Sequence, residues 1–215
     1  MNEKTLLITL PEHENIVQYL SVYSEPILRA AERRGVRKLL LRGKKADRKN
    51  FESYARSQNP DFVVLNGHGS NEGVMGHNNE FLVKCDDNEE LLSRKVVYTR
   101  SCDSLAGLGK SCVRKGTKAY IGYRGPFIFP RETSREATPE KDSICKPVFE
   151  CSNIIPVSII EGADAETACE KSRLQYIKEI KSLFVRHGPE SSSLLAALLW
   201  NMKMEGFEGD PKATI

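Results

Sequence analysis

Five short apolar runs, separated by longer helix-like stretches, constrain this chain more than any other feature. They read "KTLLITLP" (4–11), "VRKLLLRG" (36–43), "DFVVLNG" (61–67), "KVVYTRSC" (95–102) and "TKAYIGYRG" (117–125). Runs of this length, bounded by Gly, Pro, Asn or Asp, predict strands. Between them, "HENIVQYLSVYSEPILRAAERRG" (13–35), "KADRKNFESYARSQNP" (45–60) and "DSLAGLGKSCVRKG" (103–116) predict helices. Pro26 either kinks the first of these or starts a new helix after Ser24. Strands that alternate with helices imply a mostly parallel central sheet covered on both faces. The expected class is therefore α/β, and 215 residues suit a single domain over 1–215.

Other segments carry weaker signals. "GVMGHNNEFLV" (73–83) predicts a small hairpin turning at Gly76–Asn79, and "DDNEELLSR" (86–94) a short helix. Residues 125–153 predict a long loop, with "NIIPVSII" (153–160) a strand after it. Two helices follow, at about 164–186 and 190–204, and "EGFEGDPKATI" (205–215) reads as a surface tail.

Charge and cysteine usage narrow the function. The net charge is +3, too small to indicate nucleic acid. The basic stretch 33–50 has no interleaved aromatics for base stacking and reads as a solvated face. No apolar run reaches the length of a membrane span, and the N-terminus carries no leader-like pattern. A cytoplasmic protein with reduced thiols is expected. None of the six cysteines forms a C-x-x-C pair, and a zinc site from His68, His77, Cys85 and Cys102 fits no familiar spacing. No metal or other cofactor is expected.

The chemistry-bearing residues stand at two strand ends. His68 follows the third predicted strand between two glycines, and Cys102 closes the fourth. In parallel sheets, ligands gather beyond the carboxyl ends of the strands. A thiol attacks a carbonyl as thiolate, and a neighbouring imidazole can take its proton. A helix predicted directly after Cys102 would also favour a negative sulfur. Gly69 frees the backbone after the histidine, so its N–H and that of Cys102 would form an oxyanion hole. Gly67 allows a sharp exit from the strand. His77 reads as a turn residue, His13 and His187 have no evident partner, and Cys112 falls on an apolar helix face.

"VVLNGHGS" followed by "VVYTRSCDSLAGLG" resembles the caspase–gingipain superfamily of cysteine peptidases, most closely its CHAT branch. The branch-like features are Ser101, Cys102, Asp103 and Gly107-Leu108-Gly109, with weaker likeness in "EGADAETACEKSR" and the C-terminal stretch. The resemblance implies a caspase-like three-layer sandwich, His68 as general base, Cys102 as nucleophile and Gly69 in the oxyanion hole. It implies a protein or peptide substrate and control by a regulatory protein partner, with no nucleic acid or membrane involved.

Arg100 departs from the pattern, since relatives carry aspartate or glutamine two residues before the cysteine. It shares a strand face with Cys102 and, with Arg124, would select an acidic residue before the cleaved bond; Asp103 is placed beside them among the substrate-binding residues. The competing reading has these arginines tied to local carboxylates such as Asp103. No third residue orienting His68 can be named, so a dyad is expected. "FPRETSREATPEKD" (129–142) is an accessible place for self-cleavage. Two rivals stand beside peptidase activity. One is an inactive interaction or regulatory module on the same fold. The other is nucleotide hydrolysis through Gly109-Lys110-Ser111, although Ser104 occupies the place of the first P-loop glycine.

Overall fold

A computed structural model of the chain describes residues 3–185 and 191–215. The five expected strands form β1 (Thr5–Leu10), β2 (Arg37–Arg42), β3 (Phe62–Asn66), β6 (Val96–Arg100) and β7 (Ala119–Tyr123). They lie parallel in the order β2-β1-β3-β6-β7. The expected hairpin is β4 (Gly73–Met75) and β5 (Phe81–Lys84), a separate antiparallel pair.

Strand alternation distributes the core. Leu6, Ile8, Phe62, Val64, Val96, Tyr98 and Ile121 point to one face. They meet α2 (Glu25–Arg33), α5 (Lys146–Ile160) and the start of α6 (Ala165–Val185). Leu7, Val63, Leu65, Val97 and Tyr120 point to the other face, against α3 (Arg48–Gln58), the hairpin and the segment after Cys102. The result is the three-layer α/β sandwich the sequence predicts. A third cluster joins α1 (Asn15–Val22), residues 127–149 and α7 (Ser191–Met204) through Tyr19, Phe127, Phe149, Tyr176 and Leu198.

α1 ends at Val22 and Pro26 stands in the first turn of α2 after the N-cap Ser24, so two helices form rather than one kinked one. The segment 86–94 contributes only one 3-10 stretch, Glu89–Leu92. Four of the basic residues of 33–50 pair with acids: Arg33 with Glu161, Lys38 with Glu32, Arg42 with Glu12, and Arg48 with Glu52 and Asp87. Cys112 is core, as expected, and His187 lies outside the described residues.

Three expectations fail, the first being the loop over 125–153, which gives way to α5 at Lys146. "NIIPVSII" is the C-terminal half of α5, not a strand. Its β-branched residues suit a strand, but Ile155 and Ile159 lie one helical turn apart and pack on the sheet. Pro156 sits inside the helix and has no N–H for the Ser152 carbonyl; the Tyr98 hydroxyl donates there instead, at 2.8 Å. The supposed surface tail begins with β8 (Glu205–Gly209), a sixth strand antiparallel to β7. Two glycines in five residues hide a strand from propensity, whereas the open edge of β7 supplies the partner.

Glu205 enters this strand opposite Tyr123. Its carboxylate accepts from Ser172 Oγ at 3.0 Å and Tyr123 Oη at 3.3 Å, and burial pushes its pKa up to about 8. The folded chain therefore binds a proton that the unfolded chain releases near pH 4.5. Its contribution to stability is complete below that pH and is lost as pH rises through 8. With Glu205 partly exposed, the loss by pH 7 is on the order of 2 kcal/mol. Denaturant midpoints of Glu205→Gln should exceed those of the unmodified chain by a margin that grows from pH 5 to pH 8. A margin independent of pH would refute this assignment.

Candidate active site

The β3–β6 register ends at Asn66 opposite Arg100, so the next residues of both chains leave the sheet side by side. Gly67 adopts φ +152°, and a Cβ there would stand 1.9 Å from the Met75 carbonyl oxygen. The chain then runs along β4: Met75 N–H donates to the His68 carbonyl and Ser70 N–H to the Gly73 carbonyl. Gly69 bridges Val74 between those bonds, which turns its own N–H and C=O to the opposite edge. That edge meets the other strand end. A Cβ on Gly69 would lie 2.5 Å from the Cys102 carbonyl oxygen, 2.7 Å from Ser101 Cβ and 3.0 Å from the Cys102 nitrogen. Among the described residues, neither the Gly69 nor the Cys102 N–H donates to a protein acceptor.

His68 and Cys102 line one narrow cleft of about 30 Å³ with Gly67, Arg100, Ser101 and the apolar wall Ile16, Leu20, Phe127 and Phe129. A residue that sequence reading missed stands behind the histidine. Glu14, at the N-terminus of α1, takes a hydrogen bond from His68 Nε2. This leaves Nδ1 as the basic nitrogen of the ring. Glu14 also lies 3.7 Å from His13 Nε2, and His13 in turn meets Asn79 and the His77 ring. Fifty-four residues separate Glu14 from His68, and no local pattern links them.

Burial is the largest influence on Cys102 and pushes its thiol above the ordinary range. A hydrogen bond from the Phe127 backbone lowers it, and the nearby Asp103 raises it again. The expected helix does not adjoin the sulfur. Asp103 takes a left-handed φ of +58°, and helical turns start only at Leu105. A proton acceptor is therefore needed to make the thiolate at neutral pH.

Arg100 is fully buried, and its partners are neutral. It donates from Nε to Asn66 Oδ1 (3.0 Å), from Nη1 to Asn153 Oδ1 (3.1 Å), and from Nη2 to Ser24 Oγ (2.6 Å) and the Leu20 carbonyl (3.3 Å). Its guanidinium lies 5.5 Å from the centre of the Phe149 ring. No carboxylate pairs with it among the described residues, so the competing tie to Asp103 is absent. Arg124 is not brought to the cleft. It pairs with Glu208 at 3.0 Å and the Phe207 carbonyl on β8, which draws it across the sheet edge. Asp103 follows Cys102 and donates its N–H to the Gly125 carbonyl. Lys110 is exposed at the start of α4 (Lys110–Arg114), and Gly109 belongs to a helical turn rather than a phosphate-cradling loop. No group of His, Cys, Asp or Glu among the described residues could hold a metal ion. No described helix is long and apolar enough to cross a membrane.

With this arrangement in view, solved structures supply the comparison. The Arg-specific cysteine proteinase gingipain R superposes on 99% of the chain with a TM-score of 0.60 at 12% identity. The fold is that of gingipain R. The complex of pro- and mature domains of RgpB from Porphyromonas gingivalis also superposes on 99% of the chain, with a TM-score of 0.54 at 10% identity. The chain spans about half the length of each, 47% and 48%. No family model and no curated protein matches it.

Proposed function

We propose that this chain is a cysteine endopeptidase of caspase-like type, with Cys102 as nucleophile and His68 as its base. The observation that carries the reading is the contact of Gly69 with the Cys102 backbone, which puts both strand tips at one cleft. Glu14 holds the imidazole by Nε2 and fixes its orientation, a third member that the sequence did not suggest. The Gly69 and Cys102 N–H groups receive the oxyanion of the tetrahedral intermediate. Cys102 Sγ attacks the carbonyl carbon, and its proton passes to His68 and then to the leaving amine. Water, deprotonated by His68, then releases the acyl group. The likeness to gingipain R supports the reaction class, and the Ser101-Cys102-Asp103 motif resembles that of the CHAT branch.

The substrate carries an acidic residue before the cleaved bond. Arg100 supports this: a buried guanidinium with neutral partners is a charge still lacking its counter-ion, and it lies in the wall beside the nucleophile. Asp103 disfavours a second acid on the far side of the bond. A cleft of 30 Å³ has room for about one water, so Ile16, Phe127 and Phe129 must part before a side chain enters. A regulatory protein partner or signal acts on that wall.

The test is covalent labelling by tetrapeptidyl chloromethyl ketones ending in aspartate, leucine or arginine. Label should reside on Cys102, vanish in Cys102→Ala, and form fastest with aspartate. Preferential labelling of Cys85 would overturn the choice of nucleophile, and equal rates with arginine would overturn the role of Arg100. An inactive module is the second reading, favoured by the closed wall; complete lack of Cys102 labelling would select it.

A further inference from the structure

We propose that Asn201 of α7 is a positioning residue that holds segment 126–131 as a peptide-binding edge beside Cys102. This rests on the peptidase reading and adds how the substrate backbone is held. Asn201 is fully buried, and β7, α5 and α6 separate it from the nucleophile in chain order. Its Oδ1 accepts from Ile128 N–H at 3.1 Å, and its Nδ2 donates to the Ile128 carbonyl at 2.6 Å. One side-chain amide can take both groups of a residue only if they point the same way, which is the geometry of extended backbone. Trp200 reinforces the hold, with Nε1 donating to the Pro126 carbonyl at 2.8 Å.

In an extended chain, neighbouring residues present their N–H and C=O to the opposite edge. Clamping Ile128 toward α7 therefore turns the backbone groups of Phe127 and Phe129 toward the site. Phe127 fits, since it lines the cleft with Cys102 and its backbone lowers the thiol's pKa. Among the described residues, the Phe129 N–H and C=O have no partner in the chain. Pro130 follows and offers no N–H, so the free edge ends there. Along this edge runs a groove of about 260 Å³, lined by Ile16, Phe127, Ile128, Phe129 and Arg131. It shares Ile16, Phe127 and Phe129 with the Cys102 cleft. The occupant that fits a free backbone edge with an apolar floor, continuous with a nucleophile, is an extended peptide. Its main chain pairs with Phe129, and an apolar side chain rests on Ile16 and Ile128. Asn201 touches no substrate; it sets the edge that does.

The experiment compares two electrophiles on Cys102. Iodoacetamide has no peptide backbone and reports the thiol alone. The fastest of the three peptidyl chloromethyl ketones reports thiol and edge together. In Asn201→Leu, iodoacetamide labelling should stay within about twofold of the unmodified chain, while peptidyl labelling slows tenfold or more, through a weaker initial complex. Equal slowing of both reagents would make Asn201 merely structural and overturn the proposal, and so would no slowing of either. A second measurement needs no variant. N-methylation of the peptidyl reagent, one backbone amide at a time, should cost the unmodified chain tenfold or more at one position. Indifference to every N-methyl group would overturn the proposal even if Asn201→Leu fails to fold. Failure of the underlying reading looks different: neither reagent labels Cys102 in a His68-dependent way.

Discussion

Peptide hydrolysis by His68→Ala is expected to fall by about 10²- to 10⁴-fold, the span that a positioned general base supplies. The reason lies in how the sulfur is held. A free thiol near pKa ~8.5 is only ~3% thiolate at pH 7. Burial at the ends of β3 and β6 pushes Cys102 above that range, and Asp103 adds to the rise, so the ionised share is smaller still. Phe127 offsets part of this, but one backbone N–H does not reverse the direction. Without His68 the residual reaction must wait for spontaneous ionisation. Its rate should therefore climb about tenfold per pH unit through neutrality and level only above the ordinary thiol range. On the proposed dyad, in which the imidazole takes the proton, the unmodified chain should lack that climb. Glu14→Ala should fall between the two, because it removes the group that fixes the ring without removing the base. Steady-state rates on a peptide mixture from pH 6 to pH 9.5 check all three. A His68→Ala variant with the unmodified rate and pH profile would exclude the imidazole from the chemistry.

The parts of this site legible in the sequence were those written locally. "DFVVLNG" and "KVVYTRSC" announce buried parallel strands, and chain order makes them neighbours in a doubly covered sheet, so His68 and Cys102 could be placed at one rim. What the sequence hid depends on distant partners. Glu14 reaches His68 across 54 residues and Asn201 reaches Ile128 across 73, with no spacing to betray either. Arg100 was legible as facing the site, but not as a charge held by Asn66, Ser24 and Asn153. Arg124 looked equivalent until β8 paired with β7 and brought Glu208 to it. The same hidden pairing defeated the reading of 205–209, and "NIIPVSII" misled because packing of Ile155 and Ile159 outweighed strand propensity.

Gly69→Ala should remove most peptidase activity while leaving the fold in place. An added methyl would stand 2.5 Å from the Cys102 carbonyl oxygen and 2.7 Å from Ser101 Cβ, distances that real Cβ atoms do not sustain. Both obstacles belong to the tip that carries the nucleophile, and one is backbone, so the strain cannot be relieved by turning a flexible side chain. The two tips must move apart by several tenths of an ångström or more. Overpacking of this kind costs about 1–3 kcal/mol, small beside the cohesion of a six-stranded sheet with core on both faces. Catalysis is less tolerant. The shift withdraws the Gly69 N–H from the oxyanion, and loss of one such donor costs about 10²–10³ in kcat. It also lengthens the path from Cys102 to His68. The melting temperature should therefore drop by a few degrees, about 2–4 °C per kcal/mol for a chain of this size. Over the same change, kcat should fall at least a hundredfold with KM little altered, since the proposed peptide edge at Phe129 is untouched. Gly162→Ala, on the turn after α5, serves as the control for a destabilising glycine replacement without tip contact: its φ of +100° strains any side chain, yet an added Cβ meets no atom within 4 Å. Full kcat in Gly69→Ala would mean that the tip contact is packing only and that the oxyanion is held elsewhere.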